Sequence, residues 1–252
     1  MTRYVALGSS MAAGPGITPR VPGSPRAAGR STRNYPHLVA RTLGLDLVDV
    51  TYSGATTAHV LSVSQRGAPP QIDALDGTET LVTVTIGGND AGYVPMLFAA
   101  GLPRPLRSVP LLGGRIRELL DPSARYVALA EAGSALIDVG REIRRRAPQA
   151  TVLFVDYLTL LPATGAAPPL RETDLALGRH VAATLQQLTA DAARVSGCGL
   201  VEAAAASSDH HAWSASPWTT RFGLPVPRRP APLHPNAEGM RAVADLVVAA
   251  VT

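Results

Sequence analysis

Short apolar runs rich in β-branched residues recur along the chain, each separated from the next by a longer stretch with helical character. That alternation constrains the fold more than any other feature. The runs are Arg3–Leu7, Leu47–Thr51, Leu81–Ile86, Thr151–Val155 and Leu200–Glu202. Near-continuous hydrophobicity within a short run marks a strand covered on both faces, as in a parallel sheet. The intervening stretches supply the cover. Asn34–Leu43 carries apolar residues at helical intervals and stops before Gly44, a residue suited to the left-handed position after a helix. Ser123–Arg146 and Arg171–Val195 are long, alanine-rich and amphipathic, and Pro235–Val251 closes the chain as a helix with proline near its first turn. Strands joined through helices cross over right-handedly. The pattern therefore predicts an α/β fold, a three-layer α/β/α sandwich around a five-stranded parallel sheet. With 252 residues, no internal repeat and no linker-like stretch, residues 1–252 read as a single domain.

Gly14–Thr32, Leu102–Gly114 and Ala203–Pro232 break the regular pattern with glycine, proline and arginine. Loops of that length are commonly functional. These follow strand ends or precede the last helix, so they are placed to rim a site.

Composition removes several function classes. Hydrophobic residues make up 46% and charged residues 17%, as in a soluble globular chain. The net charge of +4 is carried by scattered arginines, and aromatics are only 4%, so nucleic acid is not an expected partner. The one cluster, Arg144-Arg145-Arg146, falls near a helix C-terminus, where cations complement the helix dipole. Cys198 is the only cysteine, which excludes an intrachain disulfide. His210 and His211 beside Asp209 lack further ligands at suitable spacing, so no metal or other cofactor is expected. No run of about 18 apolar residues occurs, so no membrane-spanning helix is expected. Met1-Thr2-Arg3-Tyr4-Val5 leads into a strand and not a signal segment. As it stands the chain reads as cytoplasmic; a secreted chain trimmed of its export signal would read the same. The pattern leaves the oligomeric state open.

Four short motifs carry the chemistry: Gly8-Ser9-Ser10-Met11, Ser53-Gly54-Ala55-Thr56, Gly87-Gly88-Asn89-Asp90 and Leu233-His234-Pro235-Asn236. Three follow predicted strand ends, where open α/β sheets bind ligands. Serine is a weak nucleophile until a base takes its proton, and Ser10 sits at a strand-to-helix turn. An N-cap serine is the plainer reading of that position alone. Gly54 offers a backbone N–H that can approach an oxyanion without side-chain obstruction, though the same sequence is a common turn. The Asn89 amide could donate to an oxyanion, or Asn89 and Asp90 could cap a helix. His234 precedes the last helix and could act as general base and then general acid, or simply face solvent. Gly8–Gly16 lacks the endings of a phosphate-binding or dinucleotide-binding loop. Val94, Met96, Leu97 and Phe98 could form an acyl pocket or a flap, but are more simply one face of a core helix.

Taken in order, Ser10, Gly54, Asn89 and His234 resemble the four blocks of the SGNH (GDSL-type) hydrolase superfamily, over nearly the whole chain. Tyr4 through Gly16 looks like its actinobacterial esterase and lipase branch. The resemblance implies a flavodoxin-like sheet with strand order 2-1-3-4-5. It also implies a serine esterase acting on small or short-chain esters through an acyl-enzyme. Ser10 would be the nucleophile, with Ser10 N–H, Gly54 N–H and the Asn89 amide as the oxyanion hole. The chain departs from the family at three places. Ser9 stands where the family has aspartate. Ala231 stands where it has the triad aspartate, so the Ala231 backbone carbonyl is expected to orient His234 in a Ser-His dyad; Asp209 or Glu202 are alternatives without support from spacing. Trp213 or Ser214 stands where secreted relatives have a disulfide cysteine. An acyltransferase would use the same residues. A decayed site that binds an ester or a carbohydrate is the reading outside catalysis.

Overall fold

The structure is a computed structural model that describes residues 2–103, 105 and 113–252. Five parallel strands form its sheet: β1 (Arg3–Gly8), β2 (Asp46–Asp49), β3 (Glu79–Thr85), β4 (Thr151–Val155) and β5 (Gly199–Val201). Their order is β2-β1-β3-β4-β5, as the family resemblance implies. Each strand lies within two residues of its expected start and end, the usual uncertainty of such boundaries.

Alternate side chains of each strand feed two different cores, as a sheet covered on both faces requires. Val5, Leu7, Val84 and Phe154 point to one side; Tyr4, Ala6, Leu153 and Val155 point to the other. On the first side lie α3 (Thr57–Leu61), α4 (Tyr93–Gly101), α6 (Pro122–Arg146) and α7 (Glu172–Val195). On the second lie α2 (Tyr35–Leu43) and the C-terminal α9 (Ala237–Val251). A four-residue α1 (Ser10–Ala13) follows β1, α5 (Gly113–Leu120) follows the undescribed stretch, and α8 (Ala203–Ala206) follows β5. The architecture is the expected three-layer α/β/α sandwich.

Local chemistry sets the helix ends. Asn34 caps α2 by accepting from His37 N–H at 3.0 Å, and Gly44 ends it in the left-handed region. Asp121 caps α6 through Ser123 N–H at 3.1 Å. The last helix starts later than expected: Asn236 caps it, accepting from Glu238 and Gly239 N–H at 2.9 Å each, so Pro235 lies outside its first turn. Most of the predicted 102–114 loop lies outside the described residues, and its end, Gly113-Gly114, already belongs to α5. The segment expected as the long loop Ala203–Pro232 begins with α8.

Candidate active site

β1 delivers Ser10 to the carboxyl edge of the sheet through a tight turn. Ser9 N–H donates to Thr85 O at the end of the neighbouring β3, at 2.9 Å, and the Ser9 carbonyl accepts from Ala12 and Ala13 N–H. Ser10 is thereby held at the first residue of α1, 8% exposed. Its Oγ lies 2.8 Å from His234 Nε2, across 224 residues of sequence.

The carbonyl that orients His234 is not the expected one. His234 Nδ1 meets Pro232 O at 2.7 Å. The Ala231 carbonyl instead accepts from Thr220 Oγ1 at 2.6 Å. The cause is Leu233, a fully buried residue at φ 59, in the left-handed region that non-glycine residues rarely adopt. That bend turns the peptide two residues before the histidine, and not three, toward the imidazole. A protonated Nδ1 donating to a carbonyl leaves Nε2 as the acceptor for the Ser10 hydroxyl. Thr220 fixes the loop from the other side: its N–H donates to His234 O at 2.9 Å, and its Oγ1 accepts from His234 N–H at 3.2 Å. Burial lowers the His234 pKa from its ordinary value, while the Pro232 carbonyl partly opposes this by favouring the protonated ring. The ring is therefore neutral at neutral pH. Neither Asp209 nor Glu202 is among its hydrogen-bond partners.

The second and third blocks converge on the same spot. Gly54 sits at φ 79, where a side chain would be strained. Among the described residues, neither the Gly54 N–H nor the Ser10 N–H has a hydrogen-bond partner. One amide hydrogen of Asn89 is committed to Ala55 O at 2.7 Å, which orients the side chain and leaves the other free. Asp90 does not cap its own helix. Its carboxylate accepts from Thr57 N–H at 3.0 Å and from the Thr57 hydroxyl, capping α3 and joining the Gly54 loop to the Asn89 loop.

Two groups escaped the sequence reading. Tyr157, two residues beyond β4, accepts from Gly88 N–H at 3.0 Å and shares a hydrogen bond with Ser9 Oγ, also at 3.0 Å. It thus ties the Ser10 turn to the Asn89 loop. Gly88 is required for this, because a Cβ there would fall 2.2 Å from the tyrosine ring. Burial pushes the Tyr157 pKa up to about 12, so the phenol stays neutral. Thr220 is the second; no local pattern distinguishes it from Thr219.

Ser10, Gly54, Asn89, Ala231, Pro232 and His234 all line one cleft of about 650 Å³, within the range of small-molecule sites. The helix after Asn89 serves two purposes at once. Met96 and Leu97 are buried in the core, whereas Val94 and Phe98 face the cleft with Pro95, Leu119 and the exposed Arg115. Elsewhere, His210 stacks on Trp218 with ring centroids 4.1 Å apart, and His211 Nδ1 accepts from Trp213 N–H. Among the described residues, no three His, Cys, Asp or Glu side chains are grouped to hold a metal ion. No described helix is long and apolar enough to cross a membrane.

A sandwich of this strand order, with serine, glycine, asparagine and histidine gathered at the strand carboxyl ends, defines an SGNH-type hydrolase. A sequence model of the GDSL-like Lipase/Acylhydrolase family matches residues 6–242, and the chain belongs to that family and so to the carboxylic ester hydrolases. Lipase 2 of Streptomyces coelicolor is 34% identical over 250 residues, covering 96% of this chain and 83% of that protein. Among solved structures, the extracellular lipase from Streptomyces rimosus has a TM-score of 0.77 at 27% identity, covering 100% of this chain and 99% of that one. Phospholipase A1 from Streptomyces albidoflavus NA297 shares the fold with a TM-score of 0.76 at 24% identity, covering 99% of this chain and 98% of that one.

Proposed function

We propose that the protein is a serine esterase that works through an acyl-enzyme with a Ser10–His234 dyad. The observation that carries this reading is the 2.8 Å contact between Ser10 Oγ and a half-buried, neutral imidazole. As Ser10 attacks the ester carbonyl, His234 Nε2 takes its proton. The new oxyanion receives hydrogen bonds from Ser10 N–H, Gly54 N–H and the free Asn89 amide hydrogen. His234 then returns the proton to the leaving alcohol, whose C–O bond breaks, and acyl-Ser10 remains. Water attacks next, His234 again accepting and returning the proton, and the carboxylic acid leaves. A backbone carbonyl can hold the imidazole tautomer as a triad acid does. Being neutral, it stabilises the imidazolium less.

The acyl group is proposed to lie along Val94, Phe98 and Leu119, whose apolar surfaces gain from covering it. The cleft offers more room than an acetyl group needs, so activity should extend beyond the shortest esters. Hydrolysis of p-nitrophenyl esters from acetyl to palmitoyl tests both points. Ser10→Ala should lower kcat by roughly 10⁴-fold or more, the scale of losing a nucleophile, while Ser9→Ala stays active. Retained turnover in Ser10→Ala would overturn the assignment. Product analysis with added alcohols separates hydrolysis from acyl transfer on the same site.

A further inference from the structure

The loop that brings His234 to the cleft also carries Leu224, the most exposed large apolar side chain among the described residues, and Val226. Leu224 is 81% exposed and Val226 48%, while Pro225 between them lines the cleft itself. Large apolar side chains placed together at a site's mouth mark a contact surface more often than chance exposure does. The loop is not slack. Arg229 N–H donates to Val226 O at 3.2 Å, closing a turn with Pro227 second and Arg228 third. Arg228 sits at φ 61, the left-handed third position of a type II turn, where glycine is the unstrained choice. Behind the turn, Ala231 N–H donates to Pro15 O at 2.9 Å, and Gly16 admits the Arg229 carbonyl where any Cβ would clash.

The charge around these side chains has one sign. Arg221, Arg228 and Arg229 lie between Asp209 and Glu238, and no acidic residue falls between those two. Among the described residues, Arg228, Arg229 and Arg115 are exposed and make no ion pair. The Arg228 side chain thus contributes nothing to the turn, where glycine would be unstrained, and stands exposed and unpaired.

We propose that Leu224–Arg229 docks the protein onto an anionic lipid surface, with Leu224 and Val226 entering the acyl region and Arg228 and Arg229 against headgroup phosphates. Apolar insertion beside basic side chains is the physical recipe for interfacial binding. Docked this way, the cleft opens toward the lipid, because Pro225 belongs to both surfaces. The proposal deepens the esterase reading and rests on it only for what happens to the lipid once bound.

The test is co-sedimentation with vesicles of phosphatidylglycerol and of phosphatidylcholine, at low and high salt. The wild type should partition onto phosphatidylglycerol and lose most of that binding in high salt, as screening demands. Arg228→Gly should fold at least as well, since the turn relaxes, and bind about fivefold more weakly; Arg229→Gln should lose a similar factor. Leu224→Ser should lose about tenfold. All three should hydrolyse a soluble p-nitrophenyl ester at the wild-type rate. Equal binding to both lipids, no binding, or binding unaltered in the variants would overturn the proposal. So would size-exclusion chromatography showing a dimer that Leu224→Ser dissociates while vesicle binding persists, for then the occupant is a second copy. A wild type that turns over soluble ester but ignores vesicles sinks docking alone. One that binds vesicles but cleaves no ester sinks the esterase reading alone.

Discussion

The two halves of the Ser10–His234 pair are built in opposite ways. The Ser10 half stands on strand ends: β1 carries the serine, β3 leads into Asn89, and β4 leads into Tyr157, which bridges both loops. Ser9, next to Ser10 in the turn, is fully buried. The His234 half hangs on an irregular loop, fixed by Thr220, the left-handed Leu233 and a carbonyl of the histidine's own segment. Sheet ends hold a group through many long-range contacts. A loop holds it through a few hydrogen bonds and tolerates changes in its neighbours. In the proposed dyad the acceptor for Nδ1 comes from the backbone at Pro232, beside an Ala231 that offers no carboxylate.

If the contrast is right, damage to the sheet-end half should cost both catalysis and stability, while damage to the loop half should cost mainly catalysis. Beyond Ser10 itself, the largest effect is expected from Asn89→Ala. It removes one proposed oxyanion donor, worth about 2.7–4 kcal/mol of barrier, so kcat should fall roughly 100- to 1,000-fold with little change in KM. It also abolishes the hydrogen bond to Ala55 O, so the thermal midpoint should drop as well. Steady-state kinetics beside a melting curve reads both, and wild-type kcat would remove Asn89 from the oxyanion hole.

Tyr157→Phe should come next. It leaves the Gly88 N–H without its partner and Ser9 Oγ without the phenol, a cost of about 1–3 kcal/mol. We expect kcat lower by about tenfold, KM within about twofold, and a clearly lower melting temperature. Thr220→Val keeps the shape but deletes the hydroxyl that braces Ala231 and His234. Without that brace the imidazole is held less well against Ser10 Oγ, so kcat should fall about fivefold, about 1 kcal/mol of barrier, with a smaller drop in melting temperature than Tyr157→Phe. If Thr220→Val destabilised the fold as much as Tyr157→Phe, the distinction between the halves would fail.

The same contrast governs what a reader of the sequence can recover. The strands and their covering helices are legible because each rests on a local pattern: β-branched runs, helical spacing, glycines at turns. Ser10, Gly54, Asn89 and His234 stand out only together, through the resemblance of their order to a known family. Tyr157 is not, because its role depends on two partners, 69 and 148 residues away, and on a missing Cβ at Gly88. The exchange of Ala231 for Pro232 as the acceptor is not legible either. It follows from one backbone dihedral at Leu233, and leucine gives no hint of a positive φ. Val94 and Phe98 were obscured for another reason: an all-apolar helix does not announce which of its faces meets a cleft.

The smallest expected effect is in the pH dependence, and it separates the halves by sign. Burial lowers the His234 pKa below its ordinary value of about 6.5. The base form therefore persists to lower pH than a free histidine would allow, and kcat/KM should rise with pH through a midpoint below 6.5. For stability, a depressed folded pKa means the contribution is present above the unfolded pKa and is lost as pH falls through the folded one. Replacing His234 with Gln should flatten that acid-side loss. Asp156, beside Tyr157 in the sheet-end half, goes the other way: burial raises its pKa to about 7, so its contribution is full at low pH and is lost as pH rises from about 4 toward 7. Asp156→Asn should remove that loss and raise the melting temperature at pH 8 more than at pH 5. Melting curves of both variants across pH 4–8 read the two slopes separately. A His234→Gln protein with an unaltered acid limb would mean that the imidazole is not desolvated, and the neutral base on which the dyad depends would have to be found elsewhere.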